Sequence, residues 1–301
     1  MLTKTTFTTF YSYKGGVGRT LALGNVAWTA ALKGKKVVII DFDLEAPGIS
    51  YIEPFREFVE NHKKDKNNGG IFDLILEYQQ NNQSLPIKKR FTTKPITKDR
   101  IKDFNEGKIY IIPAGRDDNN YKKNLQLFNW QKFYSEEGGR EFFFRLRERI
   151  EYEFENPDYV FIDSKDGLTD IGGLCSLLIP DIVVILTGLN QQNLNGTQGI
   201  INSINEHSKI RIKEKYLRPI EIITVASHVP LDTEYFLTRE QMEKAAKTFG
   251  IKFDISLYYV PVLSIKEILL VNTHRVEEEE LIKGMVSKYQ DLYYLIDKKV
   301  I

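Results

Sequence analysis

Seven short apolar runs recur along the chain, each bounded by turn residues and rich in β-branched or aromatic side chains: Phe7 to Tyr11, Lys36 to Ile40, Ile109 to Ile112, Tyr159 to Ile162, Ile182 to Leu186, Ile220 to Val225 and Ile255 to Tyr259. Continuous rather than alternating apolarity is the pattern of strands covered on both faces, as in a parallel sheet. Helical spacing fills several of the intervals, at Leu21 to Leu32, Phe142 to Phe154, Gly196 to Glu206 and Thr238 to Phe249. Strand alternating with helix predicts right-handed crossovers and an α/β fold, a doubly wound, mostly parallel sheet flanked by helices. Ligands on such sheets sit beyond the carboxyl ends of the strands. A last stripe, Leu281, Ile282, Met285, Val286, Tyr289, Leu292, Tyr293 and Ile296, reads as a helix packed on the sheet rather than one lying on a membrane.

Composition narrows the class. The 301 residues read as a single domain, 1–301, with a basic, mobile insertion around 60–108. From Pro86 to Lys108 the stretch carries Lys88, Lys89, Arg90, Lys94, Lys98, Arg100, Lys102 and Lys108 against only Asp99, Asp103 and Glu106. Elsewhere Glu277 to Glu280 form an acidic run, so the formal charge of +1 averages over opposite patches and names no nucleic-acid or membrane partner. The single cysteine, Cys175, rules out an intrachain disulfide or a thiolate metal cluster and points to a reducing, cytoplasmic location. Flanked by apolar residues, it reads as a packed thiol. No run is long enough to span a bilayer, and Met1 to Thr9 lack the apolar core of a signal peptide.

The chemistry concentrates in Lys14-Gly15-Gly16-Val17-Gly18-Arg19-Thr20, directly after the first strand and before the first helix. Glycines let the backbone curl so that successive N–H groups point inward, and the helix adds its positive end, which together make an anion nest for nucleotide phosphates. Thr20 offers a hydroxyl to a hard cation such as Mg²⁺. This loop resembles the deviant Walker A motif, K-G-G-x-G-K-[ST], of the ParA and MinD family of P-loop ATPases. The resemblance implies ATP and Mg²⁺ as cofactors and the backbone of Gly15, Gly16, Val17, Gly18, Arg19, Thr20 and Leu21 as the phosphate cradle. It implies that Lys14 reaches across a nucleotide-sandwiched homodimer to the partner's phosphates. Arg19 stands where the family has its second lysine, as in a KGGVGR subgroup. Arginine keeps the charge but is a longer, planar fork, so nucleotide binding is a safer expectation than turnover.

Two acidic segments follow strands. In the resembling family the D-x-D at Asp41-Phe42-Asp43 is switch I: the residue matching Asp43 positions or activates the attacking water, and the one matching Asp41 supports the metal's water shell. Asp163, ending Tyr159-Val160-Phe161-Ile162-Asp163, matches the Walker B carboxylate, giving Thr20, Asp41 and Asp163 as the metal set. The next residues, Ser164-Lys165-Asp166-Gly167, hold the place of switch II without the family's usual sequence, which leaves Lys165 and Asp166 either functional or a solvated turn. Ser227 and His228 fall where base-contacting residues stand, and Pro261 in the last loop over the base. The family's adenine-reading Asn is absent at Ser227.

Four histidines, His62, His207, His228 and His274, show no paired-ligand spacing, and no G-x-S-x-G occurs. The expected function is therefore a Mg·ATP-dependent dimerising ATPase that acts as a switch read by a partner protein, with Lys14, Arg19 and Asp43 as catalytic residues. The alternatives are a nucleotide-binding scaffold without turnover, and a ParA-like positioning ATPase whose basic stretch binds DNA phosphates.

Overall fold

The structure is a computed structural model that describes residues 5–81, 85, 89–99, 101–104, 106–116, 118–167, 178–213, 218–230, 235–259, 269 and 280–300. Each of the seven apolar runs forms a strand: β1 (Thr6–Ser12), β2 (Lys36–Asp41), β3 (Lys108–Ile112), β4 (Tyr159–Asp163), β5 (Ile182–Thr187), β6 (Glu221–Val229) and β7 (Ile255–Tyr258). They make one seven-stranded sheet in the order β3-β2-β4-β1-β5-β6-β7, every pair parallel. Because β1 lies between β4 and β5, with β2 one strand further out, the chain reverses its winding direction beside β1. In register, Phe10 of β1 and Asp41 of β2 both pair with Asp163 of β4. The loop after β1 and both acidic segments thus meet at one end of the sheet, where parallel α/β sheets open a crevice.

Among the described residues nine α-helices cover the two faces: α1 (Arg19–Leu32), α2 (Phe55–Lys63), α3 (Ile71–Asn81), α4 (Asn119–Leu127), α5 (Trp130–Glu136), α6 (Gly139–Glu153), α7 (Gln191–Lys213), α8 (Tyr235–Phe249) and α9 (Glu280–Lys298). One core is built around α1 and α9, with Trp28, Phe55, Phe104, Phe161, Leu292 and Ile296 buried against β1, β2 and β4. The opposite core sets Phe7, Val38, Ile40 and Ile162 against the aromatic-rich helices α3 and α6. The C-terminal stripe is a packed helix as its spacing predicts: Met285, Tyr289, Leu292, Tyr293 and Ile296 are buried, and α9 lies on α1 and β7.

The stretch 60–108, expected as a basic, mobile insertion, carries ordered elements among its described residues. It carries the end of α2, all of α3 and a segment pinned to β3, where Ile96 pairs antiparallel with Ile109 and the Thr93 N–H donates to the Ile111 carbonyl at 2.9 Å. That pairing covers the outer edge of the sheet, which would otherwise present free backbone groups. Phe91, Ile96 and Phe104 are fully buried, and Arg90 is ion-paired with Glu77. The apolar residues spaced among the charges anchor these parts of the segment to the core. Lys88 and Arg100 lie outside the described residues. Cys175 and Pro261 lie outside them as well, and so does His274. No helix among the described residues is long and apolar enough to cross a membrane.

Candidate nucleotide-binding site

The glycine loop leaves β1 at Ser12 and enters α1 at Arg19. Gly16 and Gly18 have φ of +76° and +74°, a backbone region that side chains disfavour, so these two positions are what let the chain turn back on itself. Gly18 caps α1 without any side-chain hydrogen bond, leaving the helix's first N–H groups for an anion. Val17, between the glycines, is buried, and its carbonyl accepts a 2.6 Å hydrogen bond from the Ser227 hydroxyl. The loop is therefore tied to β6, two strands away.

Arg19 is the surprise of the crevice. Its guanidinium turns to the carboxylates: Nε donates to Asp163 Oδ1 at 2.7 Å, one terminal nitrogen to Asp43 Oδ2 at 2.8 Å and the other to Ser12 Oγ at 3.3 Å. Only 8% of its side chain is exposed, and none of Asp163 is. Burial works against the arginine's charge, but Asp163 and Asp43 outweigh it and hold its pKa above the ordinary value. The second oxygen of Asp163 accepts a 2.7 Å hydrogen bond from Thr20 Oγ1.

Asp41 is fully buried behind this cluster and accepts the N–H groups of Asp43 and Ile49. Burial, then the charges of Asp163 and Asp43, hold its carboxyl well above the usual range, against the pull of those two N–H donors. Asp43 also stands above its usual value, since burial and Asp163 together exceed the attraction of Arg19. The oxygen-only set of Thr20, Asp163, Asp43 and Asp41 fits a hard divalent cation such as Mg²⁺. Among the described residues no cluster of three or more His, Cys, Asp and Glu forms a metal site by itself.

Lys14, by contrast, faces outward. It is exposed, and its ammonium donates to Gln192 Oε1 at the start of α7. Of the two residues left open as turn or function, Lys165 pairs with Glu45, linking the segment after β4 to the one after β2. Asp166 stands over the loop, its Oδ2 3.0 Å from where a side chain on Gly15 would begin. The Tyr11 hydroxyl holds this segment by donating to the Gly167 carbonyl at 2.9 Å.

Beside the loop lies a cleft of about 520 Å³ whose other walls are Ser227 and His228 of β6, Leu257 to Tyr259 around the end of β7, and Met285 and Tyr289 of α9. Ser227 does not lie past the end of its strand as expected: β6 runs on to Val229, with a register shift between Ala226 and Val229. His228 takes φ of +55° there and stands edge-on to Tyr259, ring centroids 5.5 Å apart. Such a bulge re-aims a side chain, here toward the cleft. Sequence reasoning missed Gln192, Met285 and Tyr289. The last two belong to a stripe whose spacing signals packing alone, and Gln192 carries no local signal.

Comparison with known proteins agrees with this geometry. Residues 5–217 match the AAA domain family. The septum site-determining protein MinD of Buchnera aphidicola is 24% identical over 254 residues, covering 84% of this chain and 75% of that protein. Among solved structures, a putative plasmid partition protein from Borrelia burgdorferi B31 bound to AMPPNP superposes with a TM-score of 0.60 at 19% identity, covering 99% of this chain and 100% of that one. MinD from Pyrococcus horikoshii, complexed with Mg-ADP, gives 0.56 at 16% identity over 98% of each chain. With the sheet order, the glycine loop and the facing carboxylates in place, the chain belongs to the AAA domain family, within the ParA/MinD-like group of P-loop ATPases.

Proposed function

We propose that the protein is a Mg²⁺- and ATP-dependent switch that joins two copies of the chain face to face around ATP, releases them on hydrolysis and is read by a partner protein in the joined state. The observation that carries this reading is the division of labour between the two cations of the loop. Arg19 points inward to the carboxylates, whereas Lys14 is exposed at the rim of the loop, which supports a role for it toward a facing copy.

The chain's own residues supply most of what phosphoryl chemistry needs, which is positioning and charge. The loop N–H groups and the start of α1 bind the phosphates. The half-buried Leu21 and the cleft wall at His228 and Tyr259 hold the base, and the Ser227 hydroxyl braces the loop. Thr20, Asp163 and Asp41 would hold Mg²⁺, which when bound offsets phosphate charge. Asp43 would orient the attacking water. AMPPNP and Mg-ADP in the similar structures, and a MinD from Aquifex aeolicus in complex with MinC, support ATP, Mg²⁺ and a protein partner as the expected set.

One observation favours a second reading, a nucleotide-binding scaffold without turnover: Asp43, the residue expected to orient the water, is engaged by Arg19 at 2.8 Å. Light scattering on a sizing column with no nucleotide, ADP and AMPPNP tests the switch. Dimer with AMPPNP alone, lost in Lys14→Ala, supports it, and a Lys14→Ala protein that dimerises like wild type refutes the assignment. Steady-state phosphate release separates the two readings. Release no greater than that of Asp43→Ala, with ATP still bound, selects the scaffold.

A further inference from the structure

Arg19 and a divalent cation need the same oxygens. Both oxygens of Asp163 are already engaged, one by the Arg19 Nε–H at 2.7 Å and the other by the Thr20 hydroxyl at 2.7 Å, and Asp43 accepts from a terminal nitrogen of the guanidinium at 2.8 Å. A metal ion on Thr20 and Asp163 requires the Thr20 hydroxyl to turn its lone pairs outward, and a cation this close repels a guanidinium in the same low-dielectric crevice. Arginine suits the position in a way lysine does not. Its planar fork bonds two carboxylates through two of its nitrogens at once, while an ammonium is a single point of charge on a shorter stem.

We propose that Arg19 is a built-in counter-cation that competes with divalent metal for Asp163 and Asp43, so that metal enters this site only together with phosphate groups that draw the guanidinium away. The inference rests on the nucleotide-binding reading above and adds a rule to it: nucleotide and metal bind as a unit, because the arginine couples the two. The coupling is reciprocal, so whatever factor nucleotide adds to metal affinity, metal adds to nucleotide affinity.

Mn²⁺ binding, followed by electron paramagnetic resonance on the full chain without nucleotide, tests this directly. Wild type should bind weakly, Arg19→Lys more tightly and Arg19→Ala more tightly still, with the last gaining on the order of tenfold or more. Adding Asp43→Asn to Arg19→Ala should reverse part of the gain. Thermal unfolding gives a second readout: Mg²⁺ should raise the melting temperature of Arg19→Ala and leave wild type unmoved. If Arg19→Ala does not fold, Arg19→Lys carries the test alone. The proposal is overturned if neither variant binds Mn²⁺ more tightly than wild type. Failure of the underlying reading looks different, since a fluorescent ATP analogue would then not bind wild type even with Mg²⁺ present.

Discussion

Two glycines of one helix provide a controlled test of how the phosphate loop is supported. Gly196 and Gly199 both lie in α7, where replacing glycine by alanine ordinarily stabilises by about 0.5–1 kcal/mol through the backbone entropy of the unfolded chain. A methyl on Gly199 meets nothing within 4 Å, so Gly199→Ala should show that gain. A methyl on Gly196 would stand 2.1 Å from Cγ of Tyr13 and 2.2–2.3 Å from its Cδ atoms. Ordinary carbon contacts are about 3.5–4.0 Å, so the ring must retreat by roughly 1.5 Å. Turning the ring about its own axis does not help, because Cγ lies on that axis. Relief needs rotation at χ1 or a shift of backbone next to Lys14. Overpacking of this kind costs about 1–3 kcal/mol, and because the helix gain is common to both variants, the difference between them isolates that cost. Urea unfolding should therefore place Gly196→Ala about 1–3 kcal/mol below Gly199→Ala. A fluorescent ATP analogue should bind Gly199→Ala like wild type and Gly196→Ala more weakly, and Tyr13→Ala should restore stability to Gly196→Ala. Equal stability of the two alanine variants would refute the claim that α7 props the loop through Tyr13.

Other outcomes follow from the same geometry. Leu292→Ala, at a fully buried position of α9, should cost about 2–5 kcal/mol in chemical denaturation, and a loss under 1 kcal/mol would show that this helix is not part of the core. Gln192→Ala removes the acceptor that holds Lys14 within its own chain. It should tighten the AMPPNP-driven dimer roughly two- to fivefold in sedimentation, the worth of one exposed hydrogen bond, and a weaker dimer would argue against the outward role of Lys14. Burial lowers the pKa of His228, so as pH falls past about 6.5 the unfolded chain takes up the proton first. The stability tied to the neutral ring is present above that pH and is lost as pH drops toward the folded value. His228→Asn, which tolerates the left-handed backbone, should gain on wild type between pH of about 7.5 and 5.5, and a gap that does not widen on acidification counts against desolvation of the ring.

Much of the molecule is legible in the chain itself. All seven strands follow from their apolar runs, because burial on both faces demands unbroken apolarity, and the order strand, glycine loop, helix follows from Lys14 to Thr20. The D-x-D and the aspartate ending β4 are legible as site residues because each terminates such a run. The short helices α2 to α5 were not read from spacing, since their few turns are anchored by scattered aromatics such as Phe72, Phe133 and Tyr121 meeting across the core. Within 60–108 the same limit hides three buried anchors, Phe91, Ile96 and Phe104, among the charges.

What the sequence determined by itself was therefore the parts of the candidate site: a glycine loop, two cations and three carboxylates, with strand ends to carry them. Which cation serves which charge was decided only in three dimensions. Parallel register sets Asp41 beside Asp163, and the buried carboxylates, unable to remain charged without a partner, draw Arg19 inward, while Lys14, on the exposed rim of the loop, is left to Gln192 and to whatever faces it. Residue order along a chain records neither burial nor register, and those two quantities assign the roles.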